Sequence, residues 1–312
     1  MALFGNVTSD VKGNLKFLGQ ATFTQGAIGV GNGGEIYYVD SSRSASGKGD
    51  LWSTAFITIA EAVAASLAAG GTYDTIFVKG TENTDETTDY TESVTIAEAQ
   101  TGLRIIGCAN GPEGVLWTVG TAEGVILTVN AKDCYVSGFR FRPNGATSGG
   151  AIDVAVEGIG FHIENCILRS TVETALYGIR INSTPDVTIN NNKFTSLATA
   201  ILGTQSVKTI YRCRILNNLF DDKVDDAGIN IAGRACLIKG NDFTSDTTLL
   251  ISTYKDGAGE MNIVTGNTLP CASAYETNCT GTTSDNWLGN FCDDVESSVI
   301  GASGITFGYP QG

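Results

Sequence analysis

The sequence predicts an all-β chain folded as a parallel β-helix solenoid, with a short N-terminal capping α-helix. The first observation is a column of asparagines separated by 27, 26, 23 and 26 residues: Asn165, Asn192, Asn218, Asn241 and Asn267. The second is a large apolar residue two places after each of them, as at Phe194, Phe220 and Phe243. A near-constant period of this length indicates repeats that bury their apolar faces only by stacking on their neighbours.

Two further apolar columns predict short strands within each repeat. β-branched residues precede the asparagines by three places, or by two for Asn165: Ile163, Ile189, Ile215, Ile238 and Val264. A later column contains Ile152, Ile179, Ile201, Ile229 and either Leu250 or Ile251. Segments 186–194 and 210–220 alternate apolar and polar residues with period 2, which is typical of half-buried strands. Because coils stack on coils, we expect the sheets to be parallel.

The asparagines indicate a turn that recurs on every coil. Asn tolerates the left-handed backbone of a tight turn, and stacked amides at strand spacing pass hydrogen bonds from one copy to the next. The simpler alternative is a set of ordinary turn residues. The asparagines keep a nearly constant offset from the apolar columns, and this regularity favours a stacked ladder.

A short helix is predicted over residues 57–69. Ile59, Val63 and Leu67 recur at helical spacing, and Thr58 with Glu61 fits a capping box. Gly70 and Gly71 supply the stop. A solenoid leaves its first coil with an exposed apolar end, so we interpret this helix as the cap of that end. A catalytic helix is the alternative, but only Glu61 offers a reactive side chain.

The segments VTINNNKF, CRILNNLF and CLIKGNDF resemble the coils of right-handed parallel β-helix proteins, the pectate-lyase-like superfamily. The segment from Ile36 to Gly80 resembles the start of such solenoids: a strand, a polar loop, a short helix and the first coil strand. The resemblance implies the fold and no single activity, because this fold hosts lyases, hydrolases, tailspikes and inert structural proteins.

Four regions follow from these patterns. Residues 1–34 form an N-terminal anchoring arm, 35–73 the first strand and capping helix, 74–270 the parallel β-helix, and 271–312 a C-terminal cap or tail. The arm does not repeat the coil pattern and has too little apolar content to fold alone, so we expect it to order against a partner. Its aromatic residues, Phe4, Phe17 and Phe23, are the candidate anchors.

Charge excludes several classes of partner. The chain carries 19 Lys and Arg against 33 Asp and Glu, a formal net charge of −14. Nucleic acids and anionic membranes require cationic patches, so neither is expected, and no apolar stretch is long enough to span a membrane. The acidic cluster of Asp221, Asp222, Asp225 and Asp226 is interpreted as solvated surface. Calcium is the alternative, but the cluster lacks the spacing of an EF-hand loop. We predict no metal and no cofactor.

The eight cysteines divide into two groups. Cys108, Cys134, Cys166, Cys213 and Cys236 lie in or beside strand-like stretches, where free cysteine behaves as a small buried apolar residue. The tail holds the others, and any two of them are candidates for a disulfide: Cys271, Cys279 and Cys292.

No catalytic set is predicted. The resemblance implies, for lyases, a calcium-binding carboxylate cluster and an arginine base. For hydrolases it implies clustered aspartates, a Gly-His-Gly segment and an Arg-Ile-Lys triplet. This chain has one histidine, His162, outside any Gly-His-Gly, and the nearest triplet is Arg180–Asn182. His162 alternates with the inward Ile163, so we expect it on the exterior. Asp221 with Asp222 is a pair of carboxylates without an identifiable partner.

The favoured function is therefore a non-enzymatic virion structural protein of a bacteriophage. A compact β-helix joined to an anchoring arm resembles capsid-decorating and tailspike proteins, and the N-terminal residues lack the pattern of a secretory signal. We expect a capsid-decorating head protein, assembled in the host cytoplasm, whose partner is the major capsid protein or another virion protein. The resemblance implies a homotrimer. The alternative is a tailspike or receptor-binding β-helix that binds or cleaves host polysaccharide. A secreted adhesin is a third hypothesis.

Overall fold

The computed structural model describes residues 34–80, 90–109, 114–119, 124–144, 149–170, 176–203, 210–221, 224–244, 249–253, 260–270, 279–281 and 284–292. These residues form a parallel β-solenoid with one α-helix, α1 (Ile59–Ala68), and a single 3-10 turn (Trp52–Thr54). The fold class predicted from the asparagine spacing is confirmed. No helix in this part of the chain has the length and apolarity to cross a bilayer.

Sheet A contains ten parallel strands, and consecutive strands in it come from consecutive coils. They are β1 (Ile36–Asp40), β2 (Thr75–Lys79), β5 (Arg104–Cys108), β8 (Tyr135–Ser137), β11 (His162–Glu164), β14 (Thr188–Asn190), β18 (Arg214–Leu216), β22 (Leu237–Lys239), β25 (Ile263–Thr265) and β28 (Asn286–Leu288). Strands of a sheet lie about 4.8 Å apart, so each coil advances the solenoid by that distance.

Sheet B contains nine strands, and in most coils it follows sheet A after a turn of two residues. They are β3 (Tyr90–Thr91), β6 (Val115–Thr118), β9 (Phe139–Arg142), β12 (Ile167–Arg169), β15 (Lys193–Thr195), β19 (Leu219–Phe220), β23 (Asp242–Phe243), β26 (Thr268–Leu269) and β29 (Phe291–Cys292).

Sheet C contains eight strands and completes each coil. They are β4 (Val94–Ile96), β7 (Val125–Val129), β10 (Gly150–Val154), β13 (Tyr177–Ile181), β16 (Leu197–Gly203), β20 (Val224–Asn230), β24 (Leu249–Ser252) and β27 (Cys279–Thr280). A two-stranded sheet pairs β17 (Ile210–Tyr211) with β21 (Gly233–Arg234).

The turn between sheets A and B has a left-handed residue on each of the seven coils from β8 onward. That position has φ between 53° and 77° in Gly138, Asn165, Asn191, Asn217, Gly240, Gly266 and Gly289. Only Gly and Asn occupy it, because an asparagine side chain tolerates this conformation and glycine has no side chain to oppose it. The turn directs the chain from one sheet into the next and so fixes the phase of every coil.

The core is built from columns of apolar side chains that point inward. In sheet A the buried residues in register are Ile76, Ile105, Val136, Ile163, Ile189, Ile215, Ile238, Val264 and Trp287. In sheet C they are Leu127, Ile152, Ile179, Ile201, Ile229 and Ile251. Ile251, and not Leu250, therefore continues the apolar column of sheet C. Each column buries its side chains only against the coils above and below, as a solenoid requires.

Helix α1 covers the first coils, as its sequence predicts. Thr58 and Glu61 form the capping box, and the helix buries Ile59, Ala62, Val63 and Ser66. A second contact fixes its start, since the Glu92 carboxylate accepts the backbone N–H groups of Ile59 at 2.8 Å and Ala60 at 2.9 Å. A carboxylate at a helix N-terminus satisfies unpaired donors and complements the helix dipole. The cap is therefore attached to the solenoid by hydrogen bonds as well as by apolar contact.

Candidate functional site

Five buried asparagines form a column just after the left-handed turn: Asn192, Asn218, Asn241, Asn267 and Asn290. The Oδ1 atom of each, from Asn218 onward, accepts the backbone N–H and the side-chain Nδ2 of the preceding member, at 2.8 to 3.2 Å. Each Nδ2 also donates to a backbone carbonyl in sheet A, as from Asn192 to Ile163 at 3.2 Å. The column supplies partners for buried polar groups that water cannot reach.

Asn165 does not belong to this column, contrary to the prediction. Its position in the column is taken by Cys166, whose backbone N–H donates to Asn192 Oδ1 at 3.0 Å. Asn165 is the left-handed residue of its turn, and its Oδ1 accepts Nδ2 of Asn191 at 2.6 Å. The sequence held the signal, because the β-branched residue precedes Asn165 by two places and Cys166 by three. The sequence pattern does not reach Asn290, because the position three places before it, β-branched in the other repeats, is occupied by Trp287.

Phe194, Phe220 and Phe243 lie one above another inside sheet B. Their ring centroids are 5.1 Å apart between Phe194 and Phe220 and 4.3 Å apart between Phe220 and Phe243, with planes 9° and 7° from parallel. All three are buried. Stacked aromatic pairs contribute about 0.5–1.5 kcal/mol beyond the burial of their area.

A second polar column stands before sheet A in the last coils and was not anticipated. Asp285 Oδ1 accepts both the backbone N–H of Asn262 at 2.8 Å and its Nδ2 at 3.0 Å, while Thr253 donates to Oδ2 at 2.7 Å. Asn262 Oδ1 in turn accepts the backbone N–H of Cys236 at 3.0 Å. A column of two members has no period, so the sequence alone gives no signal for it.

Charged side chains on the exterior pair between neighbouring coils. The pairs are Lys79 with Asp40 at 2.9 Å, Lys193 with Asp221 at 2.6 Å, Arg212 with Asp186 at 2.6 Å, Arg234 with Glu260 at 3.4 Å, and Arg180 with Asp153. The hydrogen bond from Arg212 lowers the pKa of Asp186. Burial alone would raise the pKa of Asp40, but hydrogen bonds from Ser42 and Lys79 outweigh it and lower the value. The pairs that are exposed on both sides, Arg212 with Asp186 and Arg234 with Glu260, contribute at most about 1 kcal/mol each.

His162 lies on the outward face of β11, as expected, with 36% of its side chain exposed. Its Nε2 atom is 3.3 Å from Glu164 Oε2, and Tyr135 donates to the other oxygen of Glu164 at 2.6 Å. That hydrogen bond lowers the pKa of Glu164, whereas burial raises the pKa of Tyr135. A carboxylate with a lowered pKa stays ionised at neutral pH and is a poor proton donor.

Arg180 and Asn182, the residues nearest to the hydrolase triplet, converge on Asp153 in sheet C. Arg180 Nε donates to Asp153 Oδ1 at 3.0 Å, and Asn182 Nδ2 donates to the same oxygen. The guanidinium lies over the ring of Tyr177, with 4.7 Å from Cζ to the ring centroid. Burial raises the pKa of Tyr177 to about 12, and its hydroxyl has no hydrogen-bond partner in the described part of the chain. Asp153 and Tyr177, which the sequence analysis does not single out, thus meet two residues of the segment nearest to the hydrolase triplet.

The acidic cluster is only partly described. Asp221 is paired with Lys193, Asp225 and Asp226 are exposed in β20, and Asp222 lies outside the described residues. Within the described ranges, no three His, Cys, Asp or Glu side chains are grouped to hold a metal ion.

Four of the five repeat-region cysteines are buried, and Cys108 is exposed, contrary to the prediction. Cys108 is the last residue of β5, where its side chain alternates to the outer face. Burial raises the pKa of Cys134 and of Cys166 to about 12, and that of Cys236 to about 11. These thiols are protonated at neutral pH and therefore unreactive.

Several predicted site residues lie outside the described residues. Phe4, Phe17 and Phe23 are among them, and so is Cys271. Cys279 is buried in β27, while only the backbone of Cys292 is described. The disulfide in the tail stays a prediction.

Neither a protein-family profile nor a curated protein matches this sequence. Solved structures do match. A pectin methylesterase in complex with a hexasaccharide aligns at 13% identity with a TM-score of 0.51, covering 88% of this chain and 92% of that one. An alginate lyase from Paenibacillus sp. aligns at 11% identity and a TM-score of 0.44, over 79% and 96% of the two chains. The Dettilon tailspike protein aligns at 10% identity and a TM-score of 0.31, over 83% and 68%. Identity this low shows the fold alone, the parallel β-helix.

Proposed function

We propose that this chain is a non-catalytic structural protein of a bacteriophage particle, in particular a capsid-decorating protein of the head. In this proposal the β-solenoid is a stiff projecting body, and the arm of residues 1–34 binds the major capsid protein or another virion protein. The function lies in the mechanical stability of the body and in its attachment.

One observation carries the proposal: in the part of the chain that the structure describes, five outward ion pairs run along the solenoid axis, each from one coil to the next. Acid–base catalysis requires a group whose pKa lies near the working pH and that faces the substrate. Asp40, Glu164 and Asp186 have lowered pKa values. Glu92 has a raised one, but its carboxylate is used to cap α1.

Attachment through the arm is supported by its sequence. The segment precedes the cap, lacks the coil pattern and offers three separated aromatic residues, Phe4, Phe17 and Phe23. Segments that order on binding present such anchors to a partner's surface.

Deletion of residues 1–34 tests the proposal. We expect the truncated chain to keep the circular dichroism and melting temperature of the solenoid but to be absent from purified particles. A finer variant is Phe4→Ser, Phe17→Ser and Phe23→Ser, with Thr8→Ala, Thr22→Ala and Thr24→Ala as the matched control. Normal incorporation of the truncated chain would refute attachment through the arm.

A second candidate function has one observation in its favour. Asp153, Arg180, Asn182 and Tyr177 form a polar cluster from two adjacent coils, so a tailspike-type β-helix that binds or cleaves host polysaccharide is the alternative. Incubation with host capsular polysaccharide, followed by assays for reducing ends and unsaturated products, distinguishes the two. Turnover that is lost in Asp153→Asn and kept in Asp186→Asn, a matched ion-pair control, would establish the enzyme. The favoured function predicts that the unchanged chain and both variants release no product in either assay.

A further inference from the structure

The outward face of sheet B has a basic half and an acidic half. Side chains alternate along a strand, so the residues on either side of each buried position face outward. The basic half lies on β9, β12 and β15 and presents Arg140, Arg142, Arg169 and Lys193. The acidic half lies on the next two coils, with Asp221 after β19 and Asp242 in β23. All of these side chains are exposed or half-buried, so opposite charges are separated along the solenoid axis on one face.

Two outward columns run along this face, because its strands pair in register. The first column, from β9 to β23, consists of Arg140, Ile167, Lys193, Leu219 and Asp242. The second column, two residues further along each strand, consists of Arg142, Arg169, Thr195, Asp221 and Thr244. Both columns are centred on β15, and the two charges that balance in each lie at equal distances before and after it.

We propose that sheet B binds sheet B of a second copy that runs in the reverse direction, about a two-fold axis through β15. Reversal places each strand before β15 against the strand equally far after it, and it keeps each column over the same column of the other copy. Arg140 then faces Asp242 of the partner subunit, and Arg169 faces Asp221 of the partner subunit. The two-fold axis doubles each contact to give four ion pairs, and such an interface closes after two subunits.

The residues between the charges also match in this arrangement. Ile167 faces Leu219 of the partner subunit, so the apolar side chains of the first column cover each other. Lys193 lies on the axis and faces its own copy, but its charge is balanced by Asp221 of its own chain, 2.6 Å away. A carboxylate has two oxygens with about four acceptor sites, so Asp221 can bind this ammonium and an arginine of the second copy together.

The charges also set the direction of the second copy. If both copies ran in the same direction, a two-fold axis along the solenoid would place the first column over the second column on the same coil. Arg140 would then face Arg142 of the partner subunit, Asp242 would face the partner's Thr244, and the facing columns would form no ion pair. Like charges placed opposite each other disfavour association. The reversed arrangement instead places Arg142 against the partner's Thr244, whose hydroxyl accepts hydrogen bonds.

Charge reversal of one half at a time tests the association, measured by sedimentation of the full-length chain. We expect a dimer with a dissociation constant of ~10–100 μM at low salt, since a face of five short strands is small for an interface. Arg140→Glu with Arg169→Glu gives an acidic face, and Asp221→Lys with Asp242→Lys gives a basic one. Each double variant alone should dimerise about 100-fold more weakly, because like charges replace all four ion pairs. An equal mixture of the two should restore a dimer with one copy of each, in which every pair is again opposite in charge.

Arg214→Glu with Lys239→Glu is the matched control, because it makes the same change of charge on the exposed face of sheet A and should leave the dimer intact. Circular dichroism checks that each variant is folded. If Asp221→Lys unfolds the chain, the single changes Arg140→Glu and Asp242→Lys provide the same reciprocal test.

Raising the ionic strength from about 0.05 M to about 0.5 M should weaken the dimer, since salt screens the ion pairs. Four results would overturn the proposal: a monomer at about ten times the expected dissociation constant, a trimer, a mixture of the two charge variants that does not associate, or an equal loss of the dimer in the control.

Discussion

Asn218 Oδ1 accepts two hydrogen bonds from Asn192 on the coil before it, from the backbone N–H at 2.9 Å and from Nδ2 at 3.2 Å. Asn218 Nδ2 then donates to Ile189 O and to Asn241 Oδ1, both at 3.0 Å. One side chain therefore satisfies buried groups on the coil before and the coil after its own, and so links three consecutive coils. The column does more than cap a turn, because it links the coils in the direction in which they stack.

Replacement of Asn218 should be among the most costly single changes in the solenoid. Asn218→Ala removes the acceptor of the Asn192 N–H, one of the two acceptors of Asn192 Nδ2 and the side-chain donor to the Ile189 carbonyl, and each buried unsatisfied group costs about 1–3 kcal/mol. We expect a loss of about 4 kcal/mol, measured by urea denaturation. Asn217→Gly is the control, since glycine occupies the same left-handed position at Gly240 and should change stability by less than about 0.5 kcal/mol. Equal effects of the two variants would contradict the role of the column.

The phenylalanine stack predicts a difference between its middle and its end. Phe220→Leu removes two ring contacts and Phe194→Leu removes one, while both keep an apolar side chain. With about 0.5–1.5 kcal/mol for each stacked pair, we expect losses of about 2 and about 1 kcal/mol. The midpoints of urea unfolding curves, compared at a constant slope of unfolding free energy against urea concentration, measure both losses. If Phe194→Leu lowers the free energy of unfolding more than Phe220→Leu does, ring stacking does not determine the relative stabilities of the two variants.

The attachment of α1 depends on Glu92. Glu92→Ala would leave the backbone N–H groups of Ile59 and Ala60 unpaired, which we expect to cost about 2 kcal/mol. Thr58→Ala removes an ordinary N-cap and should cost about 1 kcal/mol. Differential scanning calorimetry compares the two. A smaller effect for Glu92→Ala would mean that the helix is held by apolar contact alone.

The buried thiols predict a loss of stability at alkaline pH. Burial raises the pKa of Cys134 to about 12 from the usual thiol value of 9.0. A raised pKa in the folded state gives stability that is present below pH 9 and is lost as the pH rises from 9 to about 12, because the unfolded chain ionises first. The contribution falls by about 1.4 kcal/mol per pH unit in this window. Cys134→Ala should therefore flatten the stability curve above pH 9, measured by urea denaturation at several pH values. If Cys134→Ala left the loss of stability with pH above pH 9 unchanged, the Cys134 thiol would not be its cause.

The sequence predicted the sheets and the helix because the spacing of apolar side chains determines them. Ile189, Ile215 and Ile238 point inward on successive coils, and Thr58 with Glu61 forms the capping box that the residues imply. These features depend on neighbours in the chain or on a period, and both are visible in one sequence.

The features that the sequence does not predict depend on which residues meet across coils. Asn165 and Cys166 differ by one position; the three-residue offset from Ile163 indicates Cys166, and the left-handed turn with the Cys166 hydrogen bond shows that it points into the column. The contacts of Glu92 with α1 and of Asp285 with Asn262 join residues far apart in sequence without a repeating interval. A single sequence carries no signal for such contacts.

Spin-label distances test the stacking of the coils most directly. One label is placed on the exposed Cys108 in β5, and the second on Lys239→Cys in β22 or Leu288→Cys in β28, with Cys271 and Cys292 replaced by serine and the sample diluted with unlabelled chain. One strand spacing per coil predicts distances of about 24 Å and about 34 Å, a difference of about 10 Å for two coils. Equal distances, or a shorter one to position 288, would contradict the stacked solenoid.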